Sequence, residues 1–455
     1  MKGEPMSNVD SAWLRMDSPA NLMMVSGALS FEKKVAFEEA KELVAARLLK
    51  FPRFRQRVVS SDGLLKSMRW EEDPLFNIDR HFIRTELPTP GGEKEFQELA
   101  SRLMSEPLDP DHPLWQLHFI PEYEGGCALL SRFHHCMGDG IAMIYVMMSM
   151  TDDAPDAPIE KEFKAGKERG NGMTLEAFGR SLGYNTGKAI NTATEMISKP
   201  GKVTSFITAL GKLAMMPPDP ETPFKGELVR EKRAVWSKPI DLDLVKSIRK
   251  HTGATVNDVL LAAVSGALRR YLRDRNEVAD DLDIRAVVPV NLRSLEEAHE
   301  LGNRFGLVFL PLPLGIEDSL LRIFEVTARM KEIKNSPEAL LTFGILRTMG
   351  VSPGPLFEGV LQMFGSKATS VMTNVIGPDK PIYFAGSAMK QAMFWVPRSG
   401  GLGMGVSILS YNGKVWLGIA TDAGLVPDPE KILDGFYAEL DDMVQLVKQV
   451  EESDA

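Results

Sequence analysis

Between Ala36 and Lys50 apolar residues return at three- and four-residue intervals, with Phe37, Ala40, Leu43, Val44 and Leu48 forming one stripe. That period predicts an amphipathic helix, and Pro52 ends it. Leu22 to Leu29 leads into it as an extended run, so residues 10–60 read as a strand and then a helix. Trp70 to Phe82 is a mixed extended stretch. Helical spacing resumes over Glu93 to Met104, through Phe96, Leu99 and Leu103. Leu114 to Ile120 alternates, Glu124-Gly125-Gly126 turns the chain, and Cys127 to Phe133 follows as a second strand. Together these predict an antiparallel hairpin.

The pattern changes after Met150. Thr151 to Ile159 is rich in Asp and Pro, residues 173–216 carry amphipathic helical spacing, and Pro217-Pro218-Asp219-Pro220 breaks it. Val203 to Met216 reads as a buried helix or, alternatively, as one lying at a membrane interface. Extended structure returns at Arg233 to Trp236, followed by helices over Leu242 to His251 and Thr255 to Arg273. Ile284 to Val290 is a buried-type strand, Leu307 to Leu314 is extended, and Ser319 to Lys334 is helical. Val406 to Tyr411 and Lys414 to Ala420 flank Asn412-Gly413, a strong two-residue hairpin signal. Pro429 to Val450 closes the chain as a helix. Strands and helices mix, with hairpins in both parts, so the fold class is α/β with mixed sheets flanked by helices. A chain of 455 residues exceeds what one core of about 250–300 residues holds. The expected division is an N-terminal half over residues 1–150, a crossover over 151–225 and a C-terminal half over 226–455.

A hydrophobic content of 44% supplies ample core. The formal charge of -9 excludes the bulk basic field of a nucleic-acid binder, while leaving room for a local basic patch toward a phosphate-bearing ligand. Cys127 and Cys136 are the two cysteines. On one extended strand they sit beyond disulfide reach, and two cysteines make no structural zinc pattern. A reducing, cytoplasmic setting follows. No apolar run is long enough to span a bilayer, and Met1 to Asp10 has no signal-peptide core, so any membrane contact is expected to be peripheral.

Candidate chemistry concentrates in His134-His135-Cys136-Met137-Gly138-Asp139-Gly140, at the end of the Cys127 strand. Neighbouring strand residues point to opposite faces, so one histidine can face a pocket while the other packs. Taken alone, a His-His pair is more often structural or incidental than catalytic. A metal set of His134, His135 and Asp139 is disfavoured because the two rings diverge and no other histidine cluster supplies ligands; no metal is expected. No Gly-x-Ser-x-Gly elbow occurs, which disfavours a covalent serine nucleophile. Gly401-Leu402-Gly403-Met404-Gly405 lacks the βαβ context of a dinucleotide site.

This segment resembles the HHxxxDG motif of the chloramphenicol-acetyltransferase-like superfamily, and the wider chain resembles the bacterial wax ester synthase/acyl-CoA:diacylglycerol acyltransferase family. The supporting stretches span nearly the whole chain. They are Ser11-Ala12-Trp13-Leu14, Pro113-Leu114-Trp115, Asn257 to Ala262, Val288 to Arg293, Gly302 to Gly306, and Thr373-Asn374-Val375-Ile376-Gly377-Pro378. Two departures stand out. Leu22 to Gly27 replaces the family's Pro-Met-His-Val-Gly, and Ile376 stands where a proline is usual.

The resemblance implies two chloramphenicol-acetyltransferase-like halves with a tunnel at their interface. It implies acyl transfer from acyl-CoA to a lipophilic alcohol, a fatty alcohol or diacylglycerol, with His135 as general base and no cofactor. Asp139 would pair with Arg293 and hold the loop, His134 would support it, and Gly140 would permit close backbone approach. Asn257 would steady the oxyanion, or else simply cap its helix. Pro113, Leu114, Trp115, Thr373 and Asn374 would line the tunnel. Methionines such as Met143, Met147, Met148 and Met150 would give an adaptable apolar wall, or plain core. Rival readings are a condensation-type enzyme using a carrier-protein thioester and an inactive lipid-binding relative.

Overall fold

Ser7 Oγ accepts a hydrogen bond from the Asp10 amide at 3.1 Å and opens helix α1 (Asn8–Met16), where apolar spacing predicts only the approach to a strand. This computed structural model describes residues 3–60, 67–159, 211, 214–277, 280–292, 301–334, 336 and 338–453. Most of the expected crossover, including most of Val203 to Met216, lies outside them, as does Arg293.

From α1 the chain runs through β2 (Met24–Phe31), α2 (Phe37–Leu48) and a small sheet of β1 (Glu4–Pro5), β3 (Gln56–Ser60) and β4 (Met68–Glu72). Then come β5 (Phe82–Arg84), α3 (Glu93–Met104), the hairpin of β6 (Trp115–Tyr123) and β7 (Gly126–His134), and α4 (Gly140–Ser149). The β6–β7 turn is tight because Glu124 and Gly125 take positive φ, 46° and 85°.

The C-terminal half comprises β8 (Lys232–Trp236), β9 (Ile240–Asp241), α5 (Leu242–Thr252), α6 (Val256–Arg273), β10 (Asp283–Asn291), β11 (Phe305–Pro313), α7 (Ser319–Lys334), α8 (Glu338–Met349) and α9 (Gly354–Ser366). It continues with β12 (Ser370–Ile376), β13 (Tyr383–Phe384), β14 (Ser387–Trp395), β15 (Met404–Tyr411), β16 (Lys414–Asp422) and α10 (Glu430–Ser453). Asn412 and Gly413, at φ 46° and 72°, make the predicted two-residue hairpin between β15 and β16.

Two large sheets result. One runs β11-β10-β12-β15-β16-β8, with β9 also on β16; the other runs β13-β14-β2-β7-β6-β5. Both mix parallel and antiparallel pairs. Residues 226–455 contribute to both sheets. After β12 the chain crosses over, adds β13 and β14 to the N-terminal sheet with Trp395 opposite Ser26, and returns as β15. The exchange fuses the cores: one apolar cluster joins Trp13, Phe133 and Met143 to Trp236, Phe305 and Trp395. A second packs around α6, which is buried along most of its length against α10 and α7. The motif strand β7 is buried throughout at the centre of its sheet, so its C-terminal end arrives at the junction on rigid support. Among the described residues no helix is long and apolar enough to cross a membrane. Both cysteines are buried and unpaired.

Candidate active site

β7 ends at His134 and the chain tightens at once into a short 3-10 turn, His135–Met137. That break in the strand decides the fate of the two rings. His134 turns back: its Nδ1 accepts from the Cys136 amide at 3.2 Å, and its Nε2 lies 3.6 Å from Asp17 Oδ1. His135, its backbone amide donating to the Met23 carbonyl at 2.8 Å, presents its ring to a cavity of about 630 Å³ between the halves. The wall is largely apolar, with Met143, Met147 and Met148 from α4, Val287 and Val290 from β10, and Phe394 from β14. Met150 is buried in the core instead of lining it.

Trp13 stacks on the His135 ring, centroids 4.1 Å apart and planes 22° from parallel, and Phe305 approaches to 5.6 Å. Enclosure by these rings leaves His135 6% exposed, with Nδ1 buried and lacking a hydrogen bond. Burial pushes its pKa down to about 4; the nearby Asp139 charge opposes the shift and His134 adds to it. An unperturbed imidazole titrates at about 6.5. The structure makes the ring neutral well below that, at the cost of a poorer proton acceptor.

Asp139 fastens the loop. It caps α4, its Oδ1 accepting from the Ala142 amide at 2.9 Å, while Oδ2 accepts from the Arg304 amide at 2.9 Å. Its own amide donates to the Gly302 carbonyl at 3.1 Å. A carboxylate accepting from backbone amides of two segments holds the loop's geometry. Asn303 completes the clasp, donating through Nδ2 to the His135 carbonyl and to Asp10 Oδ1, each at 2.8 Å. Asp10 and Trp13, both on α1, are functional neighbours that apolar spacing did not reveal. The Ser11-Ala12-Trp13-Leu14 stretch was the available signal, and its partner across the chain is visible only in three dimensions.

Asn257 of α6 and Thr373 and Asn374 of β12 line the same cavity. The cap of α6 is Thr255, whose Oγ1 accepts from the Asp258 amide at 3.2 Å while Asp258 Oδ2 accepts from the Thr255 amide at 3.0 Å. Asn257 is therefore not the capping residue. Its Oδ1 accepts from Asn374 Nδ2 at 2.7 Å, which leaves its amide nitrogen as a donor.

Residues 6–260 match the catalytic domain of wax ester synthase/diacylglycerol acyltransferase, and residues 301–444 match the C-terminal domain of the same family. The chain belongs to this family. It is 28% identical over 96% of its length to a Mycobacterium tuberculosis protein named as a diacylglycerol O-acyltransferase, covering 98% of that protein. A second M. tuberculosis protein of the same name is 27% identical over 97% of this chain and 90% of its own length. Among solved structures, the wax ester synthase/diacylglycerol acyltransferase from Marinobacter aquaeolei VT8 superposes with a TM-score of 0.69 at 21% identity, covering 98% of this chain and all (100%) of that one. The starter condensation domain of rhizomide synthetase, in complex with C8-CoA and Leu-SNAC, gives 0.60 at 12% identity, with 98% and 94% covered. These two likenesses show a shared fold.

Against this wax ester synthase/diacylglycerol acyltransferase frame, some expected site residues fall elsewhere. Pro113, Leu114 and Trp115 line no part of the cavity. They sit behind the motif strand, where the Leu114 carbonyl accepts from the His134 amide at 2.9 Å and Trp115 Nε1 donates to the Phe54 carbonyl at 2.9 Å. Gly140 lines the cavity, and a Cβ there would meet nothing within 4 Å. The tight glycine is Gly138, where a Cβ would come within 2.8 Å of Met143 Cε and 3.1 Å of Ala142 Cβ. Arg293, expected to pair with Asp139, lies outside the described residues. No group of three or more potential metal ligands occurs among the described residues.

Proposed function

We propose that this chain transfers a fatty acyl group from acyl-CoA to the hydroxyl of a fatty alcohol or diacylglycerol, releasing CoA and a wax ester or triacylglycerol. The carrying observation is the neutral His135 ring set into an otherwise largely apolar cavity shared by both halves. The ring accepts the hydroxyl proton as the alcohol oxygen attacks the thioester carbonyl. The resulting oxyanion takes a hydrogen bond from the Asn257 amide, whose carbonyl end Asn374 already occupies. Collapse breaks the C–S bond, and the imidazolium returns its proton to the departing thiolate. Atoms and charge balance with no redox partner or metal ion.

The clasped loop supports this reading over an inactive lipid carrier. A lipid carrier has no need of a loop clasped by Asp139 and Asn303, and apolar walls alone would hold a chain. A condensation domain of the same fold carries C8-CoA, which supports a free CoA thioester as donor. Lipid substrates fit peripheral contact at a membrane or lipid-droplet surface.

The test offers palmitoyl-CoA to purified protein with hexadecanol, diacylglycerol or a short alcohol, and follows thiol release and ester formation. Turnover with a lipophilic acceptor, lost in His135→Ala, is expected. Turnover only with a carrier-protein thioester, or undiminished after His135→Ala, would overturn the assignment.

A further inference from the structure

We propose that the cavity mouth between the C-terminal ends of α5 and α7 holds the phosphate-bearing end of the CoA donor. The inference rests on reading a CoA thioester as donor, and it names the face from which that donor enters. Besides His135 and Asp139, the charged side chains along the described lining are Arg249 and Lys334. Both are cations, in a chain of net charge -9. Both are exposed, as is Thr255 beside them, so they mark where this end of the cavity meets water.

The surroundings extend that charge. The last turn of α5 carries Arg249, Lys250 and His251; the last turn of α7 carries Lys331 and Lys334, with Glu332 interleaved. Inward from this rim the lining turns apolar through Met330, Ile333 and Val308, and reaches Asn257 two residues beyond Thr255. Basic rim, apolar throat and polar centre follow the order of a CoA thioester: phosphates, pantetheine arm, reacting carbonyl. An ammonium or guanidinium at such a rim forms charge-assisted hydrogen bonds to phosphate. Cations at helix C-termini also offset the helix dipole. That role explains their sign, but a purely helix-stabilising cation is indifferent to whether the donor carries phosphates.

The experiment uses this indifference. Arg249→Glu/Lys334→Glu and Arg249→Gln/Lys334→Gln are compared with wild type for binding of free CoA by calorimetry, and for KM with palmitoyl-CoA and with palmitoyl-pantetheine, which has no phosphate. Lys34→Glu/Lys94→Glu, at exposed sites away from the lining, controls for net charge. The expected result is an approximately tenfold or greater rise in Kd for CoA and in KM for palmitoyl-CoA in the Glu pair. A smaller rise is expected in the Gln pair, and none for palmitoyl-pantetheine or in the control. Wild-type CoA affinity falls with added salt and the Glu pair loses that dependence. Unchanged CoA binding, or equal losses for both donors, overturns the site. Charge-sensitive CoA binding without turnover on any alcohol supports the site and overturns the proposed reaction instead.

Discussion

Asn303 of the C-terminal half donates to the carbonyl of His135 in the N-terminal half at 2.8 Å. The same Nδ2, together with the Asn303 backbone amide at 3.1 Å, also holds Asp10 Oδ1. One carboxamide thus ties the motif turn to α1, whose Trp13 covers the His135 ring. Burial raises the Asp10 pKa, and the bonds from Asn303 oppose that rise. Asn303→Ala strips a buried carboxylate and a buried carbonyl of a donor, at a cost of about 1–3 kcal/mol in stability. Loss of ring positioning lowers kcat by about ten- to a hundredfold with little change in KM. Urea unfolding and initial rates check this. Wild-type kcat in a destabilised variant would reduce Asn303 to scaffold.

The two adjacent histidines separate by the same logic. His135→Ala removes the proton acceptor and lowers kcat by about 10²–10⁴-fold, leaving the Asp139 clasp intact. His134→Ala removes the acceptor of the Cys136 amide and the neighbour of Asp17. Its cost falls on folding, about 1–2 kcal/mol, as for loss of a capping side chain. Steady-state rates and thermal melts on the pair measure the contrast. Equal kcat losses with equal stability would show both rings acting in the reaction.

Much of this was legible in the chain because strong local signals agree with the fold. The α7 pattern, Asn412-Gly413 and the β6–β7 hairpin each carry their own period or turn chemistry. Helix α1 was missed because it is short and leans on the rest of the fold: Gly350 packs against Asn8, and Arg15 donates to the Met349 carbonyl at 3.0 Å. The crossing of β13 and β14 was not visible either, since nothing in Ser387–Trp395 says which sheet it joins. The same holds for the site. His135 and Asn257 were found through motifs, whereas the roles of Asp10 and Asn303 depend on partners nearly 300 positions apart. The resemblance places Trp115 at the tunnel, whereas its indole is held in the core by the Phe54 carbonyl.

Glycines give a test independent of catalysis. A Cβ at Gly306 would fall 1.7 Å from the Ala339 carbonyl oxygen, a backbone atom that cannot step aside. Gly306→Ala therefore forces β11 and α8 apart, and a loss of about 3 kcal/mol or more is expected. A methyl at Gly140 enters open space at the cavity wall, so Gly140→Ala stays within about 0.5 kcal/mol of wild type. Denaturant midpoints of the two variants decide the point. A large loss at Gly140 would mean the α4 entrance is more crowded than its geometry shows.

The buried histidines set the response to pH. Burial holds both His135 and His118 down to about 4, with Arg132 and Arg102 adding to the effect at His118. In the unfolded chain each titrates near about 6.5. Between those values the unfolded state binds protons that the folded state refuses, so stability falls as pH drops from about 6.5 toward 4. It is fully present above that window. Each ring contributes at most about 3 kcal/mol over it. His118→Gln, outside the cavity, should flatten the urea-measured slope by up to one proton's worth while leaving turnover intact. For catalysis the active form is neutral imidazole, so kcat/KM should hold steady across pH 6–8 and decline only toward about 4. An acid limb near about 6.5 would mean that the His135 ring titrates as if exposed in the free enzyme, and its enclosure by Trp13 and Phe305 would have to be abandoned.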